Sequence, residues 1–177
     1  ADDERTYALI ADMIGACRRL FRSRRIHIGM DEAAHLGRGR YRDIHGPADS
    51  FSLMCRHLDK VCAICRENGF TPMMWSDMFF HLVGGGYNTE EAIPPEKLQL
   101  VPEGVELVYW DYYATSQEVY DANCKKHLRF PNPVLFAGGA WKWTGYAPSL
   151  GDWLLPNHLF PEGLGKAART ILKAGYQ

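Results

Sequence analysis

Ile26-His27-Ile28-Gly29-Met30-Asp31-Glu32 is the stretch on which the reading of this chain turns. Apolar residues at Ile26, Ile28 and Met30 alternate with His27 and Gly29, a period of two that predicts a strand over 26–30. The strand runs into two adjacent carboxylates, Asp31 and Glu32. Arg24 and Arg25 precede it, and a Gly- and Arg-rich loop from Leu36 to Tyr41 follows. Strand ends at the rim of an α/β sheet are where such folds carry catalytic groups. Neighbours on a strand point to opposite faces, so alternation gives Asp31 and Glu32 different surroundings, which drive two carboxyl pKa values apart. His27 falls within the strand on a different face from Glu32, which predicts a support for the acids rather than a reacting group.

Outward from this stretch the chain alternates helix and strand. Tyr7, Ile10, Met13, Ile14, Cys17, Leu20 and Phe21 recur at helical spacing over 3–22. A second helix is predicted over 50–68, with Phe51, Met54, Cys55, Leu58, Val61, Cys62 and Cys65 on one face and Asn68-Gly69 ending it. Thr71 to Trp75 reads as a strand reaching Asp77, and Gly84-Gly85-Gly86 as a loop. A weaker helix is expected near 88–100, a strand over 105–109 running into Trp110-Asp111, a helix over 116–129, a strand over 133–137 and a last helix near 163–174. Alternating strands and helices predict an α/β fold with a parallel sheet and right-handed crossovers. Three of the four strands end in an acid, and three bring a Trp near the same end. In a β/α barrel that end is the catalytic face, and four units are half of an eight-unit barrel, which takes about 250 residues. No linker divides the chain, so residues 1–177 are expected to form one segment of a barrel domain.

Composition excludes little else. Lys and Arg total 20 against 21 Asp and Glu, so bulk charge supports neither nucleic-acid nor membrane-surface binding. No apolar run approaches the ~20 residues of a membrane-spanning helix. The first residues, Ala-Asp-Asp-Glu-Arg, show neither a signal-peptide pattern nor Met and are expected to be a cut point, so missing targeting signals carry no weight. Cysteines at 17, 55, 62, 65 and 124 are odd in number and mostly at apolar helix positions, which predicts reduced buried thiols and a cytoplasmic setting. Cys62-x-x-Cys65 lies inside a helix with no second pair, so it reads as structural rather than as a metal or redox site. His27, Asp31, Glu32 and His35 do not converge as metal ligands if His27 and Glu32 differ in strand face. No cofactor is expected.

His-x-Gly-x-Asp-Glu at 27–32 resembles the signature of glycoside hydrolase family 20, the β-N-acetylhexosaminidases. The resemblance continues at Met74-Trp75-Ser76-Asp77, at Val108-Tyr109-Trp110-Asp111 and from Phe136 through Trp141-Lys142-Trp143-Thr144-Gly145. It covers roughly residues 5–160, and the four segments are similar to barrel strands four to seven of the bacterial branch. The resemblance implies that Glu32 is the general acid/base and that Asp31 orients the substrate's 2-acetamido group. That group's carbonyl oxygen attacks the anomeric carbon, giving an oxazolinium intermediate and net retention, the substrate-assisted exception to the two-carboxylate scheme. Asp31 is then expected ionised and Glu32 protonated near neutral pH. By the same resemblance Tyr109 hydrogen-bonds the acetamido carbonyl, Asp111 binds sugar hydroxyls and Trp75 walls the acetamido pocket. Trp141 or Trp143 supplies another apolar face, and Asp77 binds substrate or caps the following segment.

The implied partner is a carbohydrate with a terminal N-acetylhexosamine, with no nucleic-acid or membrane partner. Nothing in the chain corresponds to the family's first three strands or its eighth. The substrate-binding arginine and the last pocket tryptophan therefore have no counterpart, and the isolated segment is expected to be inactive. The other barrel half would come from the rest of a longer chain or from self-association. Two rival readings are a non-catalytic carbohydrate-binding protein, and a two-carboxylate glycosidase with Asp77 or Asp111 as nucleophile to Glu32.

Overall fold

A computed structural model describes residues 1–87, 92–112, 114 and 116–138. In chain order the elements are α1 (Glu4–Leu20), β1 (Arg25–His27), α2 (Arg40–His45), α3 (Ser50–Glu67), β2 (Thr71–Trp75), α4 (Asp77–Gly84), α5 (Pro95–Leu98), β3 (Glu106–Asp111), α6 (Gln117–His127) and β4 (Val134–Gly138). The strands form one sheet in chain order, β1-β2-β3-β4. β1 and β2 pair in parallel, with Arg25 opposite Thr71, Ile26 opposite Pro72 and His27 opposite Met73. This is the α/β arrangement that helix–strand alternation predicts. Two short helices, α2 and α4, were not anticipated, and the helix expected near 88–100 contracts to α5 within the described residues. The helix expected near 163–174 lies outside them.

The chain divides into two compact units, Ala1–Leu107 with Phe130–Pro133, and Val108–Arg129 with the residues from Val134 onward. In the first unit α1 starts at Asp3, whose side chain accepts the Arg5 N–H at 3.0 Å. Glu4 in its first turn and Arg18 and Arg19 in its last complement the helix dipole. Its inward residues Tyr7 and Ile14 meet Val61, Cys65 and Phe70, with Ile26, Ile28 and Met30 packed against the same cluster. α3 buries Phe51, Leu53, Met54, Cys55, Leu58, Val61, Cys62 and Cys65, the face its 3.6-residue spacing predicts. All five cysteines are free, and four are buried. Burial pushes the Cys62 thiol up to about 12 and the Cys65 thiol to about 11, which disfavours the thiolate that redox or metal chemistry requires.

α3 is capped by Asp49, whose Oδ2 accepts the Ser52 N–H at 2.9 Å and the Ser52 hydroxyl at 2.8 Å. Asp49→Ala is expected to cost about 1 kcal/mol at neutral pH, measured by urea denaturation. The Ser52 backbone N–H and then its hydroxyl hold the Asp49 carboxyl below its ordinary value. A depressed folded-state pKa contributes stability above the unfolded value of ~3.9, lost as pH falls through the folded one. The gap between wild type and variant is therefore expected to shrink as pH falls below about 4.

In the second unit Tyr109 stacks on His127 with ring centroids 4.5 Å apart and meets Phe136 edge-on at 5.3 Å. Tyr120 meets Phe136 at 6.0 Å. α6 starts at Ser116, whose hydroxyl caps the Val119 N–H, and turns Tyr120, Asn123, Cys124 and His127 inward.

Candidate active site

The acids stand on a turn, not on a strand. β1 ends at His27, and the chain then passes through left-handed backbone at Gly29 (φ 73°), Met30 (φ 74°) and Glu32 (φ 50°). This corrects the strand expected over 26–30. Alternation therefore relates neither Asp31 to Glu32 nor His27 to Glu32. Left-handed backbone costs a residue with a side chain about 1–2 kcal/mol, so the turn needs compensating contacts. Ile28 N–H donates to Met73 O at 2.8 Å, and Trp75 N–H donates to Gly29 O at 3.1 Å, so the turn stays tied to β2. Met30 is held by its side chain against the Tyr7–Ile14–Phe70 cluster. Glu32 N–H approaches Asp77 Oδ2 at 3.5 Å, Ala33 N–H donates to Met78 Sδ at 3.3 Å, and Ala34 N–H closes onto Glu32 O at 2.8 Å.

Within this unit the structure brings together His27 with Trp75, and Glu32 with Asp77. The His27 and Trp75 rings lie 4.4 Å apart at 52°. Burial holds the His27 imidazole below its ordinary pKa against the opposing pull of Asp31. Asp31 and Glu32 are both exposed. Asp77 is 0% exposed and opens α4, where an acid suits the positive end of the helix dipole. Gly85, at φ 101°, ends that helix, so the glycine run expected as a loop is partly its C-terminus.

The second unit carries Tyr109 and Asp111, two apart on β3 and on one side of it. Tyr109 Oη donates to Asp111 Oδ2 at 2.9 Å and accepts from Asn123 Nδ2 at 3.2 Å. Asp111 Oδ1 accepts the Ala114 N–H at 3.0 Å, and Tyr120 Oη donates to Ala114 O at 2.8 Å. Burial, then the Asp111 charge, pushes the Tyr109 phenol far above its ordinary value, so it stays protonated. His127 Nδ1 lies 2.7 Å from Asn123 O, and burial lowers the ring to about 4. Asn123 and His127 were not anticipated, although two polar residues four apart on the apolar face of α6 are a readable signal. Trp110 and Tyr112 pair with ring centroids 5.2 Å apart. Trp141 and Trp143 lie outside the described residues.

No family model and no curated protein matches this chain. Solved structures do. One is a GH20 β-N-acetylhexosaminidase from Streptomyces coelicolor A3(2), at 17% identity and a TM-score of 0.44, covering 77% of this chain and 21% of that one. Another is the Streptomyces plicatus N-acetyl-β-hexosaminidase in complex with Thio-NAglucal, at 18% and 0.46, covering 78% and 21%. A mutant of the latter with the product GlcNAc matches at 18% and 0.46, covering 77% and 21%. The chain thus spans about a fifth of the length of the solved hexosaminidase chains to which it is similar.

Proposed function

We propose that the chain is a segment of a (β/α)8 barrel of glycoside hydrolase family 20, carrying the catalytic acids of a retaining exo-β-N-acetylhexosaminidase. The observation that carries this reading is the turn after β1. His-x-Gly-x-Asp-Glu sits there as a strand-end loop in a strained conformation, and it holds two adjacent carboxylates out to solvent. Strain retained at such a turn is the mark of a site whose geometry matters more than its stability.

In this reading Glu32 gives its proton to the leaving glycosidic oxygen as the C1–O bond breaks. The substrate's acetamido oxygen forms the new bond to C1, and Asp31 holds the acetamido N–H and balances the positive charge of the oxazolinium. Water then attacks C1, Glu32 takes its proton, and the acetamido group is released with retained configuration. Because the nucleophile belongs to the sugar, no second carboxylate need face Glu32 at the ~5 Å of conventional retaining enzymes. Asp77, fully buried with Oδ2 near the Glu32 N–H, is assigned to holding the turn rather than to attack on C1. Trp75 offers an apolar wall. Tyr109 and Asp111, which pair with each other in the second unit, are assigned to sugar binding by the motif resemblance alone. Enclosure of the exposed acids is assigned to the rest of a longer chain, so the 177-residue protein alone is expected not to turn over.

The discriminating experiment, in a complete barrel carrying this segment, compares aryl β-glycosides bearing a 2-acetamido or a 2-hydroxyl group. The first is expected to be hydrolysed and the second hardly at all, with a thiazoline mimic of the oxazolinium inhibiting. Asp31→Asn is expected to slow the acetamido substrate sharply. An unchanged rate in that variant, or good hydrolysis of the 2-hydroxyl substrate, would return the assignment to a two-carboxylate enzyme.

A further inference from the structure

The turn that bears the acids depends on a contact that the proposed reaction does not use. Just beyond the end of β1, Gly29 N–H donates to the ring nitrogen Nδ1 of His27 at 3.1 Å. Its neighbour Ile28 N–H is already committed to Met73 O. The imidazole therefore takes the place of a backbone acceptor at the first left-handed residue of the turn, as short polar side chains do when they bond the backbone two residues on. The same ring rests on Trp75, whose own N–H donates to Gly29 O at 3.1 Å. Gly29 is thus held from both sides, by His27 through its N–H and by Trp75 through its carbonyl.

We propose that His27 is the positioning residue of the acid-bearing turn. It acts as a neutral ring with its proton on Nε2, accepting the Gly29 N–H through Nδ1 and coupling the orientation of Asp31 and Glu32 to Trp75. The inference rests on the reading of Glu32 and Asp31 as the reacting acids, but its structural half stands apart from any sugar chemistry. Nδ1 can accept only while it carries no proton, so protonation of the ring removes the Gly29 bond and loosens the turn. The charge that acts on the ring is that of Asp31, which favours protonation, while Arg25, two residues earlier on β1, is tied to Glu106 at 2.7 Å. His57 and Ala1 line the apolar groove that His27 also borders. β2 brings no ionisable side chain between Thr71 and Trp75.

The test uses the 177-residue protein and nuclear magnetic resonance, and needs no substrate. Ring nitrogen shifts at neutral pH are expected to show His27 as the Nε2–H tautomer. The Gly29 amide proton is expected to move with the same midpoint as the His27 ring, below the ordinary imidazole pKa. His27→Asn, whose side-chain oxygen reaches the same N–H, is expected to keep the Gly29 amide at its neutral-pH position. His27→Phe, which keeps a ring on Trp75 but has no acceptor, is expected to lose it. An Nδ1–H tautomer, or a Gly29 amide that stays still through the ring's titration, overturns the proposal without touching the assignment of Glu32. In a complete barrel, His27→Phe is expected to lower kcat roughly tenfold to a hundredfold, the scale of a small misplacement of reacting groups, with KM little changed. His27→Asn is expected to restore most of it. Equal losses in the two variants would reduce His27 to packing.

Discussion

Glu32→Gln in a complete barrel carrying this segment is expected to lower kcat on N-acetylglucosaminides by about 10²–10⁴-fold, the usual contribution of a positioned acid or base. The amide has nearly the carboxyl's shape but no acidic proton. Glu32 is exposed, and what its backbone leans on is its N–H toward Asp77 and its carbonyl to Ala34, neither of which needs the carboxyl. The turn is therefore expected to survive the change, and the loss to be chemical. Leaving groups sharpen the test. An alkoxide-like leaving group needs the proton as the C1–O bond breaks, whereas a dinitrophenolate leaves without it. The defect is expected to be largest for unactivated sugars and smallest for activated aryl glycosides. A uniform defect across that series would mean that Glu32 positions something rather than donating a proton, and the roles of Glu32 and Asp31 would have to be reassigned.

The helices that pack against the sheet were legible because their apolar residues have one face to cover. Tyr7 and Ile14 of α1, and the Phe51-to-Cys65 face of α3, follow the 3.6-residue rhythm, and each helix starts at an Asp that caps it. At 28–32 the backbone departs from the strand that its side-chain alternation predicts. Ile28 and Met30 continue the period of two because both side chains pack on the same cluster as Ile26, although the backbone has left the strand. Hydrophobic alternation reports where side chains go, not which φ takes them there. The left-handed residues are supported by contacts from Met73, Trp75, Asp77 and Met78, some forty-five positions away, which no local pattern encodes. α4 leaves little amphipathic signal because Asp77, Met78, Phe79 and Phe80 are all buried, with His81 its exposed polar side chain. The Tyr109–Asp111 pairing was legible, since residues two apart on a strand share a side. Its extension to Asn123 and His127 depends on α6 placing polar groups on its buried face.

That extension carries the second large effect, on stability rather than rate. His127 is 0% exposed, stacked on Tyr109, with Nδ1 2.7 Å from Asn123 O. A carbonyl can only accept, so Nδ1 carries a proton, and burial disfavours a second one on Nε2. Burial lowers its pKa to about 4 from an ordinary 6.5. The unfolded chain, whose histidine is unperturbed, takes up the proton first as pH falls. The contribution of His127 is therefore fully present above about 6.5, and it is lost progressively as pH falls toward 4. At 1.36 kcal/mol per unit, the loss is on the order of 3 kcal/mol, a large share of a domain's net stability. His27 and His57 are also lowered by burial and add slope of the same sign, so the wild-type curve alone does not isolate His127. His127→Asn does. It is expected to be less stable than wild type at pH 7, having lost the stack on Tyr109, and to show a visibly flatter decline between pH 6.5 and 4.5 in urea denaturation. Parallel curves for the two proteins across that window would mean that the ring protonates without disturbing the Tyr109–Asn123 network, and that this part of the fold tolerates a charge its geometry says it excludes.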